Sequence, residues 1–290
     1  MKPLFMWAGG KNKMLKRYQP YLPKKFDKYC EPFLGGGAMF VWAYEQNPRA
    51  SFVLNDSNEG IMQIYRAIRD DIIEFVGRMD ILSEQYIPLN KPERKAWYYD
   101  LRQEHADDYE KWTFTQEAAS LYFLMKTGFN GIWQENKNTN GRFGTPSGLL
   151  NQKDAVYDKQ NVMKWHEALQ RCELMCEDFT ETIKKIGRQS NCYVFLDPPY
   201  RGSFTQYGVD FDDALQEKVI SYLEVAKALG SYILLSNRDM GDEFFEKRQG
   251  DNKLVKFPVT YTAGRRKKTE EGFKAKKAIE ILMIGEPRGL

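Results

Sequence analysis

The junction between an apolar run and a proline-rich tetrapeptide constrains the fold more than any other feature of this chain. Residues 192–196 read Cys-Tyr-Val-Phe-Leu, a continuous apolar run of strand length that is typical of a strand buried on both faces. Residues 197–200 read Asp-Pro-Pro-Tyr, and the prolines hold Asp197 and Pro198 in a stiff loop where the strand ends. The loop offers a carboxylate, a carbonyl and the ring of Tyr200, which suit a planar ligand ring bearing an amino group. The alternative is a proline-rich turn capped by an aspartate.

Short apolar runs bounded by turn residues recur in two blocks along the chain. The first block predicts strands at 28–33 and 51–56, with a helix at 38–45 between them. The second predicts strands at 172–179, 192–197, 231–237, 253–262 and 278–286, with a helix at 214–229. Strands that alternate with helices indicate a parallel sheet with helices on both faces. The last two runs leave no room for a helix between them, so they predict an antiparallel pair at the edge of a doubly wound, Rossmann-like α/β sheet of seven strands.

The segment between the two blocks has a different character. Residues 61–158 are charged, helical in pattern and rich in aromatic residues, and they end in a polar, glycine-rich stretch. We therefore predict an inserted helical module that carries a protruding hairpin or loop. The chain then divides into the first part of the core at 1–60, the insert at 61–158, and the second part of the core at 159–290.

Composition limits the chemistry that the chain can perform. The two histidines, His105 and His166, are too few for histidine-rich metal sites, and the four cysteines lack paired zinc spacing, so we expect no metal. A signal peptide is not evident, and no apolar stretch approaches the roughly 20 residues that span a bilayer. We expect an intracellular, cytoplasmic protein without a membrane partner. Its net charge is only +3, but basic residues cluster at 265–277, either as a solvated charge run or as a phosphate-binding surface.

A second motif ends the first predicted strand. Residues 31–37 read Glu-Pro-Phe-Leu-Gly-Gly-Gly, in which the glycines permit a sharp turn and the close approach of a ligand to the backbone. About 20 residues later the next strand ends in Asn55 and Asp56, where an acid can bind the ribose hydroxyls of an adenosine. The dinucleotide pattern G-x-G-x-x-G is absent from the sequence. The pair of motifs therefore favours a nucleoside cofactor such as S-adenosylmethionine over NAD.

A third motif, Trp-Ala-Gly-Gly-Lys, occupies residues 7–11. Lys11 can neutralise the carboxylate of a methionine moiety, and Trp7 can pack on a cofactor. The alternative is an N-terminal helix cap beside a buried tryptophan.

These motifs, in this order and at this spacing, resemble those of the Dam-type DNA adenine-N6 methyltransferases. The resemblance covers nearly the whole chain, including the helical insert and the closing segment at 276–282. It implies a Rossmann-like methyltransferase sheet with an inserted target-recognition domain, S-adenosylmethionine as cofactor, no metal, and double-stranded DNA as partner with no protein partner required. The implied reaction is methyl transfer to the N6 amino group of an adenine flipped out of the duplex.

The resemblance also assigns roles to individual positions. Residues that match catalytic positions of the target-adenine pocket are Asp197, Pro198 and Tyr200. Residues that match cofactor-binding positions are Trp7, Lys11, Phe33, Gly35, Asp56, Asp197 and the pair Asp178-Phe179, which is expected to close the third strand near the cofactor's adenine. Positions expected to contact DNA are Phe129, Asn130, Ile132, Gln134, Arg142, Pro146, Arg265 and Arg266, with residues 141–148 matching the recognition hairpin.

Three departures from the family pattern concern DNA recognition. Gln134 stands where the family carries an arginine that reads a guanine of GATC, Met6 where it often has a lysine, and Leu149-Leu150 where an aromatic or basic residue is expected. Glutamine prefers adenine, whereas arginine is the common bidentate reader of guanine. We therefore predict a site other than strict GATC, unless Arg142 or the basic segment 265–268 supplies the missing contact.

Other functions stay open at this point. One alternative is N6-adenine methylation of RNA or single-stranded DNA, and another is a DNA-binding module that has lost catalysis. The long insert favours duplex reading, and the intact acidic, basic and aromatic site residues favour catalysis. Methyltransferases that act on glutamine or on cytosine N4 more often carry Asn or Ser in place of Asp197.

Overall fold

A seven-stranded sheet organises the computed structural model, which describes residues 1–7, 9–148, 150–188, 191–202, 211–261, 267–269, 272–274 and 276–287. The strands are β1 Lys28–Glu31, β2 Ser51–Asn55, β3 Cys172–Met175, β4 Cys192–Leu196, β5 Tyr232–Asp239, β6 Lys253–Tyr261, β7 Lys267–Thr269, β8 Gly272–Lys274 and β9 Lys276–Gly285. The sheet order is β3-β2-β1-β4-β5-β9-β6, while β7 and β8 pair separately. The first five strands are parallel, and β9 is antiparallel to both neighbours. The predicted doubly wound α/β sheet with an antiparallel pair at its edge is confirmed.

The order of the strands places a crevice at the middle of the sheet. β1 lies between β2 and β4, so the chain winds outward in both directions from these central strands. At such a reversal the connections after neighbouring strands diverge, and ligands of open α/β sheets bind at the carboxyl ends of the strands. The loops after β1 and β4 therefore border the expected site.

Both faces of the sheet are covered at β4, which explains why this strand is apolar throughout. Tyr193 and Phe195 pack in the larger core on one face, while Val194 and Leu196 pack in the core on the other. All four side chains are fully buried. Alternate residues of a strand point to opposite faces, so a strand covered on both sides loses the polar positions of a half-exposed one.

The helices of the insert begin at residues with strong capping chemistry. The side chain of Asn58 accepts a hydrogen bond from the backbone at the start of its helix, and the pairs Asn90–Glu93 and Thr113–Gln116 form reciprocal capping boxes. The α-helices are α1 Leu15–Tyr18, α2 Ala38–Gln46, α3 Glu59–Asp70, α4 Ile72–Tyr86, α5 Lys91–Asp107, α6 Phe114–Thr127, α7 Lys159–Leu169 and α8 Asp213–Ala228. Among the described residues, none of these helices has the length and apolarity needed to cross a membrane.

The end of the third strand differs from the sequence-based expectation. β3 ends at Met175, so the pair Asp178 and Phe179 does not close it; Asp178 instead caps a 3₁₀ helix that begins at Phe179. The cause is the side chain of Asn55, which exchanges two hydrogen bonds with the backbone of Glu177, at 3.0 and 3.1 Å. An amide side chain thus replaces the backbone ladder where β2 itself ends.

The glycine-rich end of the insert forms a loop that two isolated antiparallel bridges close. These bridges join Gly128 to Ser147 and Glu135 to Phe143. The expected hairpin or loop therefore has hairpin-like pairing without regular strands. The division of the chain at residues 60 and 158 stays a prediction.

Candidate active site

One open cleft of about 3140 Å³ lies at the carboxyl ends of β1 and β4. Pockets for single small molecules measure about 300–1,000 Å³, so this cleft has room for more than one ligand group. Its lining includes every predicted catalytic and cofactor-binding residue, namely Trp7, Lys11, Phe33, Gly35, Asp56, Asp178, Phe179, Asp197, Pro198 and Tyr200. The fold brings these positions together from five separate segments of the chain.

Lys11 and the loop after β4 form the most polar part of the cleft. The Lys11 ammonium lies 2.7 Å from the Asp197 carboxylate, donates to the carbonyl of Gly9 at 2.7 Å, and lies 4.7 Å from the centre of the Tyr200 ring. The side chain of Lys11 is only 4% exposed, so its charge depends on these partners. The pair therefore joins the N-terminal motif to the Asp-Pro-Pro-Tyr loop.

Asp197 is prepared to accept a further hydrogen bond. Removal from water raises the pKa of its carboxyl to about 6, and the Lys11 ammonium opposes part of that rise. Its Oδ2 binds Lys11, and the nearby Tyr200 side chain also lowers the pKa of Asp197. Among the described residues its buried Oδ1 makes no hydrogen bond of ordinary geometry. A buried acceptor without a partner is costly, and a ligand that donates an N–H group would satisfy it.

Trp7, Gly35 and Asp56 form a second part of the cleft, at the tight turn that follows β1. The Gly35 N–H donates to Asp56 Oδ2 at 2.8 Å, and the Tyr65 hydroxyl donates to the Gly35 carbonyl at 2.9 Å. Gly35 has a φ of +47°, and a Cβ there would lie 2.6 Å from the Trp7 indole nitrogen. Burial raises the pKa of Asp56, while the N–H groups of Asn58 and Gly35 lower it. Only glycine fits this turn, and its role in a cofactor loop stays a prediction.

Aromatic rings form the third part of the cleft. The rings of Phe33 and Phe179 lie 5.1 Å apart, and Phe211 packs edge-on to Phe33 at 6.2 Å. Phe211 was missed by the sequence analysis, although it directly precedes the aspartates that begin α8. The three rings offer an apolar wall for a flat heterocycle.

Residues behind the Asp-Pro-Pro-Tyr loop fix its shape and were also missed. The Tyr200 hydroxyl hydrogen-bonds to Ser236 Oγ at 2.8 Å and donates to Glu280 Oε2 at 3.4 Å. Gln216 donates from its amide to the carbonyl of Pro199 at 2.7 Å. The sequence did carry a signal for such residues, since the polar pair Ser236-Asn237 interrupts the apolar run of β5. Buried polar residues need hydrogen-bond partners, so this pair indicates polar contacts behind the loop.

The predicted DNA-contacting residues that the structure describes lie at the rim of the cleft rather than in one cluster. Asn130, Ile132 and Arg142 line the cleft. Phe129, Gln134 and Pro146 are exposed outside its lining, and Phe129 is joined to Pro146 by a backbone hydrogen bond of 2.9 Å. Arg142 forms an ion pair with Glu117. Arg265 and Arg266 lie outside the described residues.

The chain is similar to known DNA methyltransferases. Residues 7–261 match the family model described as D12 class N6 adenine-specific DNA methyltransferase. The chain is 28% identical to the type II methyltransferase M.MjaIII of Methanocaldococcus jannaschii, over 98% of each chain. It is 30% identical to the type II methyltransferase M.CviBI of Paramecium bursaria Chlorella virus NC1A over 72% of each chain, and 28% identical to the DNA adenine methylase of Vibrio cholerae over 80% of each. The family match spans most of the chain and includes every predicted catalytic and cofactor-binding residue, and the chain therefore belongs to the D12 class of N6 adenine-specific DNA methyltransferases.

Proposed function

We propose that this DNA adenine methyltransferase binds S-adenosylmethionine in the cleft and receives an adenine flipped out of duplex DNA against Tyr200. The observation that carries the proposal is the Asp197 carboxylate, which is ion-paired with Lys11 through Oδ2 and whose Oδ1 makes no hydrogen bond of ordinary geometry to the residues that the structure describes. The N6 amino group of adenine has two hydrogens, and Oδ1 and the carbonyl of Pro198 are the acceptors proposed for them. The Tyr200 ring would stack on the base, which is worth about 1–3 kcal/mol.

The chemistry of the other cleft residues fits the cofactor. The Asp56 carboxylate, which the Gly35 N–H holds in place, suits ribose hydroxyls, and the aromatic wall of Phe33, Phe179 and Phe211 suits an adenine ring. Lys11 suits the carboxylate of the methionine moiety, and Trp7 would pack on the cofactor beside Gly35. Asp197 is also close enough to Lys11 to help hold the methionine end.

The protein's own part in the reaction is to position the base and hold charge. S-adenosylmethionine, when bound, supplies an electrophilic methyl group on a sulfonium. Hydrogen bonds from N6 to Asp197 and Pro198 would turn the nitrogen lone pair toward that methyl group. The pKa of Asp197, raised to about 6, also suits Oδ1 to receive the proton that N6 releases. Positioning and electrostatic stabilisation then supply the acceleration without a covalent enzyme intermediate.

Residues at the rim of the cleft are proposed to hold the duplex around the extruded base. Extrusion costs a few kcal/mol. Phe129 is 41% exposed beside Asn130, so its ring is available to fill the space left in the stack. Ile132, Gln134 and Pro146 follow along the same loop and are proposed to face the neighbouring bases. We place the enzyme inside the cell with its DNA and expect it to act without a protein partner.

Methyl transfer from labelled S-adenosylmethionine to duplex DNA, single-stranded DNA and RNA of one sequence tests the proposal. We expect N6-methyladenine in the duplex at the highest rate, and loss of nearly all transfer in Asp197→Ala because an acceptor for N6 is removed. Faster transfer to RNA or single strands would identify the alternative substrate. An unmodified duplex with retained DNA binding would identify a silent DNA-binding module, and near-normal turnover by Asp197→Ala would refute the mechanism.

A further inference from the structure

We infer that the Arg142–Glu117 ion pair holds the recognition loop, defined here as residues 134–147, against helix α6 of the insert. Arg142 is then a positioning residue rather than a DNA contact. The inference deepens the proposed function and rests on it, since it concerns which residues of the insert meet the duplex. Arg142 otherwise looks like an obvious DNA-binding residue, because it is a cation in a glycine-rich loop that lines the cleft.

The recognition loop is ordered internally by bonds that hold Arg142 in place. Gly144 donates from its backbone to Gln134 at 2.6 Å, and Glu135 pairs with Phe143. The buried Thr139 hydroxyl donates to the carbonyl of Arg142 at 2.8 Å. Hydrogen bonds within the loop therefore fix the backbone position from which the Arg142 side chain extends.

Helix α5 contacts the second half of the recognition loop, at Gly144 and Thr145. The Tyr98 hydroxyl donates to the Thr145 carbonyl at 2.9 Å, and Arg102 donates to the Gly144 carbonyl at 3.0 Å. At the tip, the Asn140 amide donates to an Asp107 carboxylate oxygen at 2.8 Å. These contacts orient the loop relative to α5. None of them joins the loop to α6.

The contact between the recognition loop and α6 is made through Glu117. Its carboxylate is ion-paired with Arg142, whose guanidinium lies 3.7 Å from the centre of the Tyr109 ring, and it accepts a hydrogen bond of 2.8 Å from Gln63. His105 lies 4.0 Å away, but burial lowers its pKa to about 3, so its imidazole is neutral. Arg142 thus supplies the positive charge beside a carboxylate whose side chain is only 14% exposed.

An arginine held in this way is poorly suited to reach DNA. Turning it outward would separate it from the ring of Tyr109 and leave the mostly buried charge of Glu117 without its cation, which is costly. Lys137 and Asn138 lie on the exposed side of the same loop. Contacts to the duplex then come from exposed positions such as these and Gln134, while the ion pair keeps them in one arrangement.

A double-mutant cycle with Glu117→Ala, Arg142→Ala and the double variant tests the inference, with Lys137→Ala as a control for loss of a cation from the same loop. Three properties are measured: amide hydrogen exchange at 142–145, selectivity of methylation on a random-sequence duplex library, and the salt dependence of duplex binding. Calorimetric affinity for S-adenosylmethionine checks that the cofactor site is intact in every variant.

If Arg142 positions the loop, both single variants exchange faster at 142–145 by about tenfold, both lose selectivity, and the double variant is no worse than either. The salt slope is then the same in Arg142→Ala as in the wild type. If Arg142 binds phosphate, its removal alone lowers the salt slope by about one unit while Glu117→Ala leaves duplex binding intact, which would overturn the inference. Additive losses in the two single variants would also overturn it. Hydrogen exchange reports on the loop without catalysis, so absence of methylation in the wild type would count against the proposed function alone.

Discussion

Replacing Lys11 with methionine should shift the pH dependence of methyl transfer toward alkaline pH. Lys11→Met keeps most of the buried aliphatic volume but removes the ammonium that lies 2.7 Å from the Asp197 carboxylate. Burial raises the pKa of Asp197, and Lys11 opposes that rise. Without Lys11 the neutral carboxyl is favoured, and a protonated Asp197 is a weaker acceptor for the amino group of adenine.

The magnitude follows from the geometry of the pair. Unit charges 2.7 Å apart at an effective dielectric constant of about 20 attract by about 6 kcal/mol, which sets an upper bound. A cation beside a carboxyl in proteins lowers its pKa by about 1–3 units, so losing Lys11 should raise the pKa of Asp197 from about 6 to about 7–9. At pH 7 the ionised fraction then falls from about 90% to between about 1% and 50%, so the rate falls by about 2- to 100-fold.

Single-turnover methyl transfer between pH 5 and pH 9 measures this shift. Saturating S-adenosylmethionine removes any effect of Lys11 on cofactor affinity, and Lys16→Met, at an exposed position in α1, controls for loss of a surface charge. As the pH is lowered, the wild-type rate should fall with a midpoint near pH 6, since ionised Asp197 is needed. The Lys11→Met rate should fall with a midpoint at higher pH and should recover only as the pH is raised to near 9. Coincident midpoints in the two proteins would refute the view that Lys11 sets the ionisation of Asp197.

Three further substitutions give separate tests. Gly35→Ala should weaken S-adenosylmethionine binding and lower the free energy of unfolding by about 1–3 kcal/mol, because the added Cβ clashes with Trp7 at a positive φ; calorimetry with unchanged affinity would show that the cofactor lies elsewhere. Gln216→Leu should destabilise the enzyme by about 1–3 kcal/mol in urea unfolding and slow methyl transfer, because the part-buried Pro199 carbonyl loses its donor and the buried Asn237 amide loses its acceptor. Wild-type methylation mapped on a random-sequence duplex library should not be confined to GATC, and Gln134→Arg should increase selection of guanine at one position, by about 1–3 kcal/mol of discrimination. Modification confined to GATC by the wild type would mean that another residue reads that guanine.

Local patterns in the sequence were sufficient for the sheet. Buried strands such as β4 are apolar throughout because both faces are covered. The described residues between β6 and β9 form the short strands β7 and β8 and no crossover helix. Strand ends were harder to predict, since β3 stops where the side chain of Asn55 binds the backbone of Glu177. That contact joins segments far apart in the chain and leaves no periodic signal.

By itself the sequence determined which chemical groups the enzyme has and the order in which they occur. The carboxylate of Asp197 after an apolar strand, the glycines before α2 and the acid after β2 are local features, and parallel strands carry such features to one edge of a sheet. Only the tertiary structure decided which side chains pair. Lys11 could have met a cofactor alone, yet it lies against Asp197, and Arg142 could have faced DNA, yet it binds Glu117. Ion pairing depends on distance and on exclusion of water, and both are set by how distant segments pack rather than by the neighbours of a residue along the chain.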